Sequence, residues 1–206
     1  MTTLPAFGLP LCRALNRWGA RGFVHGFFAT VSRLGDGIFW YSLMFVLPFA
    51  AGSRGLAAAL QMAATGLAAL AIYRFLKGRI RRSRPSLSLH GIIARVPPLD
   101  RFSFPSGHTL HAVVFTVIAC AWFPSLAIVL VPFTALVALS RLVLGLHYPS
   151  DVLAAVAIGL ALAGISLAVY PAAREGAAPP EKVSDTFFAP QKRCLTPFSV
   201  AAKIGG

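Results

Sequence analysis

An all-α, polytopic bundle of five to six transmembrane helices with an N-terminal amphipathic segment is the fold class the sequence predicts, on three observations. The 206 residues are 57% hydrophobic and only 12% charged, whereas soluble domains run to about half apolar and about a quarter charged. Uncharged stretches recur at lengths suited to a hydrocarbon core of about 30 Å. Those stretches are rich in Ala and Leu and lack period-2 alternation, so they read as helices and not strands.

The elements follow in chain order. Residues 1–36 are ambiguous: Arg13, Arg17 and Arg21 recur at helical spacing and make one basic stripe, while 22–32 is apolar but short. This segment is either an interfacial amphipathic helix or a short first membrane helix. Residues 37–53 and 55–73 are the first two confident crossings. Residues 109–140 are too long for one crossing, and the Phe-Pro-Ser turn at 123–125 divides them in two, because proline disfavours helix in the residue before it. Residues 152–173 supply the fifth. Within that last span Ala155, Gly159 and Ala163 form a small-residue ridge suited to close helix contact. The membrane domain is therefore expected over 37–171, with a flexible Pro-, Ala- and Gly-rich tail over 172–206.

The net charge of +13 suits an anionic partner. Nucleic acid is a poor candidate, since the basic cluster lies between apolar spans without interleaved aromatics. Cys12, Cys120 and Cys194 have neither disulfide nor zinc spacing.

Three polar segments stand out. In the first, Arg74, Lys77, Arg81 and Arg84 fall on one stripe if the second span stays helical up to Pro85; four cations on one face call for an anion. The second is Pro105-Ser106-Gly107-His108, directly before a long apolar helix. Ser106 is placed to cap it, Gly107 lets a phosphate approach the backbone closely, and the first helical N–H groups make an anion site. The third runs from Ser140-Arg141 to His147, Pro149 and Asp151. Pro149 keeps His147 on a connecting turn and lets Asp151 open the next helix, where a carboxylate could hold one ring nitrogen of His147 and leave the other free. A salt bridge between Arg141 and Asp151, stapling two helices, is the alternative. The first segment ends one span, the second begins the next, and two crossings separate it from the third, so all three are expected on one membrane face.

Together these residues resemble the type-2 phosphatidic acid phosphatase superfamily. Its pattern is Lys, six residues, Arg-Pro; then Pro-Ser-Gly-His; then Ser-Arg, five residues, His, three residues, Asp. Lys77, Arg84-Pro85, Pro105 to His108, Ser140-Arg141, His147 and Asp151 fit at every position, over roughly residues 55–171. The resemblance implies a membrane lipid phosphatase. Lys77, Arg84, Ser106, Gly107 and Arg141 would bind the phosphate. His147 would attack phosphorus, oriented by Asp151, and His108 would protonate the leaving oxygen. It implies a phosphohistidine intermediate, no metal and no cofactor, with Asp151 the only acid in the core.

The expected partners are membrane lipids and a lipid phosphate substrate, either undecaprenyl diphosphate or a glycerophospholipid phosphate. Arg79, Arg81 and Arg82 would favour a diphosphate, and Arg95 and Arg101 would line the headgroup entrance. A lipid phosphotransferase, a non-catalytic lipid or phosphate transporter, and a relative of the vanadium haloperoxidases are the rival readings. The expected location is a bacterial inner membrane with the site facing the periplasm, although the positive-inside rule argues the other way. The sequence leaves oligomeric state open.

Overall fold

The computed structural model describes residues 8–97 and 100–170; the expected tail lies outside these. The described chain is all-α. Helix α1 covers Gly8–Trp18 and α2 covers Gly22–Arg33; a wide turn at Leu34–Ile38 leads into α3, Phe39–Ile80. The short α4, Pro85–Ser88, is followed by a long loop, then α5 (Gly107–Trp122), α6 (Ala127–Val143) and α7 (Pro149–Val169). Three stretches are long and apolar enough to cross a membrane, namely Gly22–Ile80, Pro124–Val143 and Pro149–Val169, while Gly107–Trp122 is apolar but shorter.

The first stretch is not one rod. Ala51 and Gly52 leave helical geometry, with Gly52 at φ 56°, and the chain doubles back. Only a residue without Cβ fits at Gly55, where a methyl would lie 1.9 Å from the Leu47 carbonyl oxygen. The break expected beside Arg54 therefore falls a few residues earlier. Arg54 instead donates to the Trp122 carbonyl at 2.7 Å and stacks over Phe123, closing the C-terminal end of α5. Proline sets the remaining boundaries as the sequence predicts: α5 stops before Pro124 and α7 starts at Pro149.

Helix α5 is the hub, packed against α3, α6 and α7. The Ala155, Gly159 and Ala163 ridge is buried, and a Cβ on Gly159 would come within 2.9 Å of the Val113 side chain. Buried Trp40 packs among Phe39, Phe115 and Phe133, pinning the first leg of α3 to α5 and α6. The outer surface is apolar too, with Phe23, Phe49, Ile128 and Val169 all more than three-quarters exposed. Water would penalise such a surface heavily, whereas lipid accommodates it.

Three expectations change. The helix carrying the first cation cluster ends at Ile80, because Arg81 adopts a left-handed conformation (φ 45°, ψ 37°); Arg84 therefore does not share a helical stripe with Lys77. At the N-terminus, α1 turns Cys12 and Asn16 inward and Arg13 and Arg17 outward. Arg21, expected on the same stripe, lies beyond the end of α1 as the N-cap residue of α2. Asn16 ties α1 down, its side-chain amide donating to the carbonyls of Ile93 (2.9 Å) and Val143 (3.3 Å) and accepting from the Ile93 N–H. Arg95, expected at a headgroup entrance, instead donates twice to the Asn16 carbonyl. Helices α1 and α2 thus lie against the end of α6 that carries Arg141.

Candidate active site

The three polar segments meet at one end of the bundle, where Arg84 bonds the Leu146 carbonyl and His147 bonds the Ser103 carbonyl. His147 sits on the turn between α6 and α7. Its Nδ1 lies 2.6 Å from the Ser103 carbonyl oxygen, which has no proton to give, so Nδ1 carries the hydrogen. Among the described residues no hydrogen bond engages Nε2. The ring is buried and not at a water-facing rim as its loop position suggests, because the 100–106 loop and Arg84 cover it. Burial, reinforced by the nearby Arg141 and Arg84 guanidinium groups, pushes its pKa down to about 4, against the opposing pull of Asp151. His147 is therefore a neutral imidazole near neutral pH, with a lone pair on Nε2.

Asp151 stands behind it at 3.8 Å from Nδ1, too far for the direct hydrogen bond expected. Its carboxylate is engaged elsewhere. One oxygen accepts the Tyr148 N–H at 2.9 Å, capping α7, and the other takes Arg82 at 2.6 Å. Arg82 also donates to Ser150 and stacks on the Tyr148 ring. The staple between Arg141 and Asp151 is therefore absent among the described contacts, and Arg82 holds the His147 turn through Ser150, Asp151 and Tyr148.

Lys77 and Arg84 do come together, through the turn after α3 and not along a helix. Both reach Asp100: Lys77 and Arg84 pair with its two carboxylate oxygens, Arg84 at 2.6 Å. Tyr73 donates to the same carboxylate. Burial alone would raise the Asp100 pKa, but the Lys77 and Tyr73 hydrogen bonds and two neighbouring cations hold it below the usual carboxylate value. Arg84 also donates to the Leu146 carbonyl at 2.8 Å, so an anchor for the cation cluster is also an anchor for the His147 turn.

Arg141 is buried and differs from the other two. Its side chain reaches Ser32 of α2 at 2.5 Å, and its Nε has no hydrogen-bond partner. Together with Ser32, Arg33, Asp36 and His108 it lines a cavity of about 600 Å³. Ser106 occupies the N-cap position of α5 but makes no side-chain cap; its hydroxyl pairs with that of Thr109 at 3.0 Å. Gly107 is needed beneath the Tyr73 ring, which a Cβ would approach within 2.8 Å. His108 meets Asp36 at 3.1 Å through Nε2. His111 bonds the Gly107 carbonyl on its own helix.

Asp36 and Asp100 are contacts of motif residues that the motif reading misses; both are partly exposed, and Asp151 is the only buried acid among the described residues, as expected. A signal was present: only Asp36, Asp100 and Asp151 are acidic ahead of residue 171, in a strongly basic chain. Each of the three contacts a motif residue.

A sequence profile described as "PAP2 superfamily" matches residues 56–175. That is more than half of the chain. The chain belongs to the PAP2 superfamily. Among its PAP2 relatives are two proteins named decaprenylphosphoryl-5-phosphoribose phosphatase, from two strains of Mycobacterium tuberculosis, CDC 1551 / Oshkosh and ATCC 25618 / H37Rv. Each is 40% identical over 97 residues, covering 46% of this chain and 51% of the relative; the chain thus spans about half the length of these curated relatives. Its fold is similar to that of Aquifex aeolicus LpxE, with a TM-score of 0.66 at 23% identity over 80% of this chain and 96% of that one. It is also similar to a transmembrane PAP2-type phosphatidylglycerolphosphate phosphatase from Bacillus subtilis, with a TM-score of 0.61 at 24% identity over 78% and 85%. The PAP2 membership and the apolar helices make this an integral membrane protein.

Proposed function

We propose that this PAP2 protein is a lipid phosphate phosphatase that works through a phosphohistidine formed on His147. The observation that carries the reading is the state of His147: a neutral, buried ring whose Nδ1–H is taken by Ser103, leaving Nε2 as nucleophile beside the buried Arg84 and Arg141. Nε2 attacks phosphorus as the bond to the lipid oxygen breaks, and His108 gives that oxygen its proton. Water then attacks the phosphorus of the N–P intermediate and loses its proton to His108, regenerating both histidines and releasing phosphate. Arg141, Lys77 and Arg84 neutralise the phosphoryl oxygens, with Ser106 and the Gly107 N–H at the α5 N-terminus completing the cradle. Asp151 positions the His147 turn through its α7 cap and Arg82.

The substrate class we assign is a terminal phosphate carried on a membrane lipid at headgroup level. The resemblance to phosphatases named for a decaprenyl-linked phosphoribose puts a polyprenyl-linked phosphosugar first, ahead of undecaprenyl diphosphate and phosphatidylglycerol phosphate. Five crossings are proposed, two from the legs of α3 and one each from α5, α6 and α7, with α1 and α2 in the interface at the site end. The site then opens toward the periplasm of a bacterial inner membrane, its cations being accounted for by phosphate binding.

The test is phosphate release from a panel of these lipids by purified protein, wild type beside His147→Ala. Turnover confined to the wild type supports the reading. Equal turnover by a folded His147→Ala variant sinks it.

A further inference from the structure

The contact between Asp36 and His108 carries the next step. Asp36 sits in the wide turn Leu34–Ile38, between two glycines that the turn requires. Gly35 is pressed so closely on α6 that a Cβ would lie 2.7 Å from the Val137 side chain, and Gly37 has φ 119°, a conformation that side chains avoid. This geometry sets the Asp36 carboxylate 3.1 Å from His108 Nε2. The pair also stands at a boundary. The 600 Å³ cavity lined by Ser32, Arg33 and Arg141 and a second of about 250 Å³ lined by Trp40, Tyr41, Leu70 and Phe115 share Asp36 and His108, and no other lining residue. The larger cavity carries the guanidinium groups of Arg33 and Arg141, and the other is largely apolar and aromatic.

We propose that Asp36 is a positioning residue for the leaving-group side of the reaction. It accepts the Nε2–H of His108, fixes the ring, and makes Nδ1 the nitrogen that passes a proton to the departing lipid oxygen. This rests on the phosphatase reading above. The site then has two oriented histidines: Ser103 fixes the nucleophile, and Asp36 fixes the acid. In the transfer step the Nδ1–H bond breaks as the new O–H bond forms, and the positive charge lost from the imidazolium is the charge that Asp36 had stabilised. In the second step Nδ1 takes the proton back from water.

The leaving group discriminates this role from a merely structural tie. An alkyl lipid oxygen cannot depart without a proton, whereas the phenolate of p-nitrophenyl phosphate can. The experiment measures kcat/KM, which reports formation of the intermediate, for Asp36→Asn on both substrates. The expected loss on the lipid is about 10- to 100-fold, up to the lower bound of what full acid–base help supplies because His108 itself remains, and at least tenfold smaller on the aryl phosphate. Adding Asp36→Asn to His108→Ala should cost nothing further on the lipid. Equal losses on the two substrates, or additive losses in the double variant, overturn the proposal. If Asp36→Asn fails to fold, Asp36→Glu keeps the question open to measurement: retained preference for the lipid supports the role, and loss of that preference counts against it. His147→Ala, run alongside on the aryl phosphate, tests the parent reading separately. Should it stay active, the phosphatase mechanism itself fails, whatever Asp36 does.

Discussion

Both ends of the helix bundle bury polar side chains, but they satisfy them differently. At the end away from His147, Gln61 donates to the Ser166 carbonyl and hydroxyl at 3.1 Å and accepts from the Trp122 indole at 2.7 Å, while Thr65 bonds Gln61 and Ser166. These groups are neutral and answer one another within the helices. At the site end several groups are charged, and partners of the motif residues sit on loops and turns: Asp100 for Lys77 and Arg84, Asp36 for His108, and Ser103 for the neutral His147. Arg141 keeps an unmatched Nε. A buried polar network is thus not by itself a sign of function. Charge that the helices leave uncompensated is the stronger sign, since an unpaired buried cation costs several kcal/mol and persists only where something else requires it.

That contrast can be broken by substitution. The largest effect is expected at Arg141→Met, which should lower kcat/KM by about 10²- to 10³-fold, as for loss of one preorganised charge-stabilising group, without lowering the thermal midpoint. Removing an unmatched buried charge spares its desolvation, so a large drop in stability would place Arg141 with the structural groups. A second test uses pH. The His147 pKa is lower in the folded protein, about 4, than the ordinary value near 6.5. Folding therefore favours the neutral ring, and its contribution is complete above about pH 6.5. It is lost as pH falls toward 4, up to about 3 kcal/mol in all. Unfolding measured between pH 7 and 4 should show this slope in the wild type and a shallower one in His147→Ala; identical slopes would remove His147 from the buried neutral set.

At the opposite end, Gln61→Ala should cost about 1–3 kcal/mol by orphaning the Trp122 indole N–H, with turnover per folded molecule preserved. A catalytic defect at full stability would erase the distinction between the two ends. The smallest effect is expected at Asp100→Asn. Its carboxylate holds the same cations that a phosphate must use, so neutralising it should tighten vanadate binding about three- to tenfold, read as an inhibition constant. Weaker vanadate binding would instead assign Asp100 to holding Lys77 and Arg84 in place.

The division between legible and hidden features follows the range of the forces involved. Pro124 and Pro149 act on their own chain neighbours, so the ends of α5 and the start of α7 could be read directly, as could the turn that carries His147. The small-residue ridge of α7 was legible because its periodicity is local. Lys77 and Arg84 were rightly grouped for the wrong geometric reason: a non-glycine residue in left-handed geometry at Arg81 ends the helix early, and nothing in the side chain announces it. The partners of the motif residues were hidden because they are distant in sequence. Asp36 meets His108 and Asp100 meets Lys77 across intervening helices or loop, and Ser103 acts through a backbone carbonyl that every residue possesses. Asp151 misled for a related reason. Its spacing from His147 suits a direct bond, but a nearer claim on its oxygens came from the start of its own helix.

The match to the PAP2 profile begins at residue 56, yet Ser32 and Asp36 touch Arg141 and His108 from upstream. The segment from Ser32 to Asp36 is therefore not packaging around a self-contained unit but one wall of the proposed site. A chimaera that joined this chain from residue 56 onward to the leading segment of another family member would carry every motif residue intact and still present a different reaction chamber. Two proteins with identical signatures could then part company in what they accept, and the cause would lie in a stretch that signature-based alignment never scores.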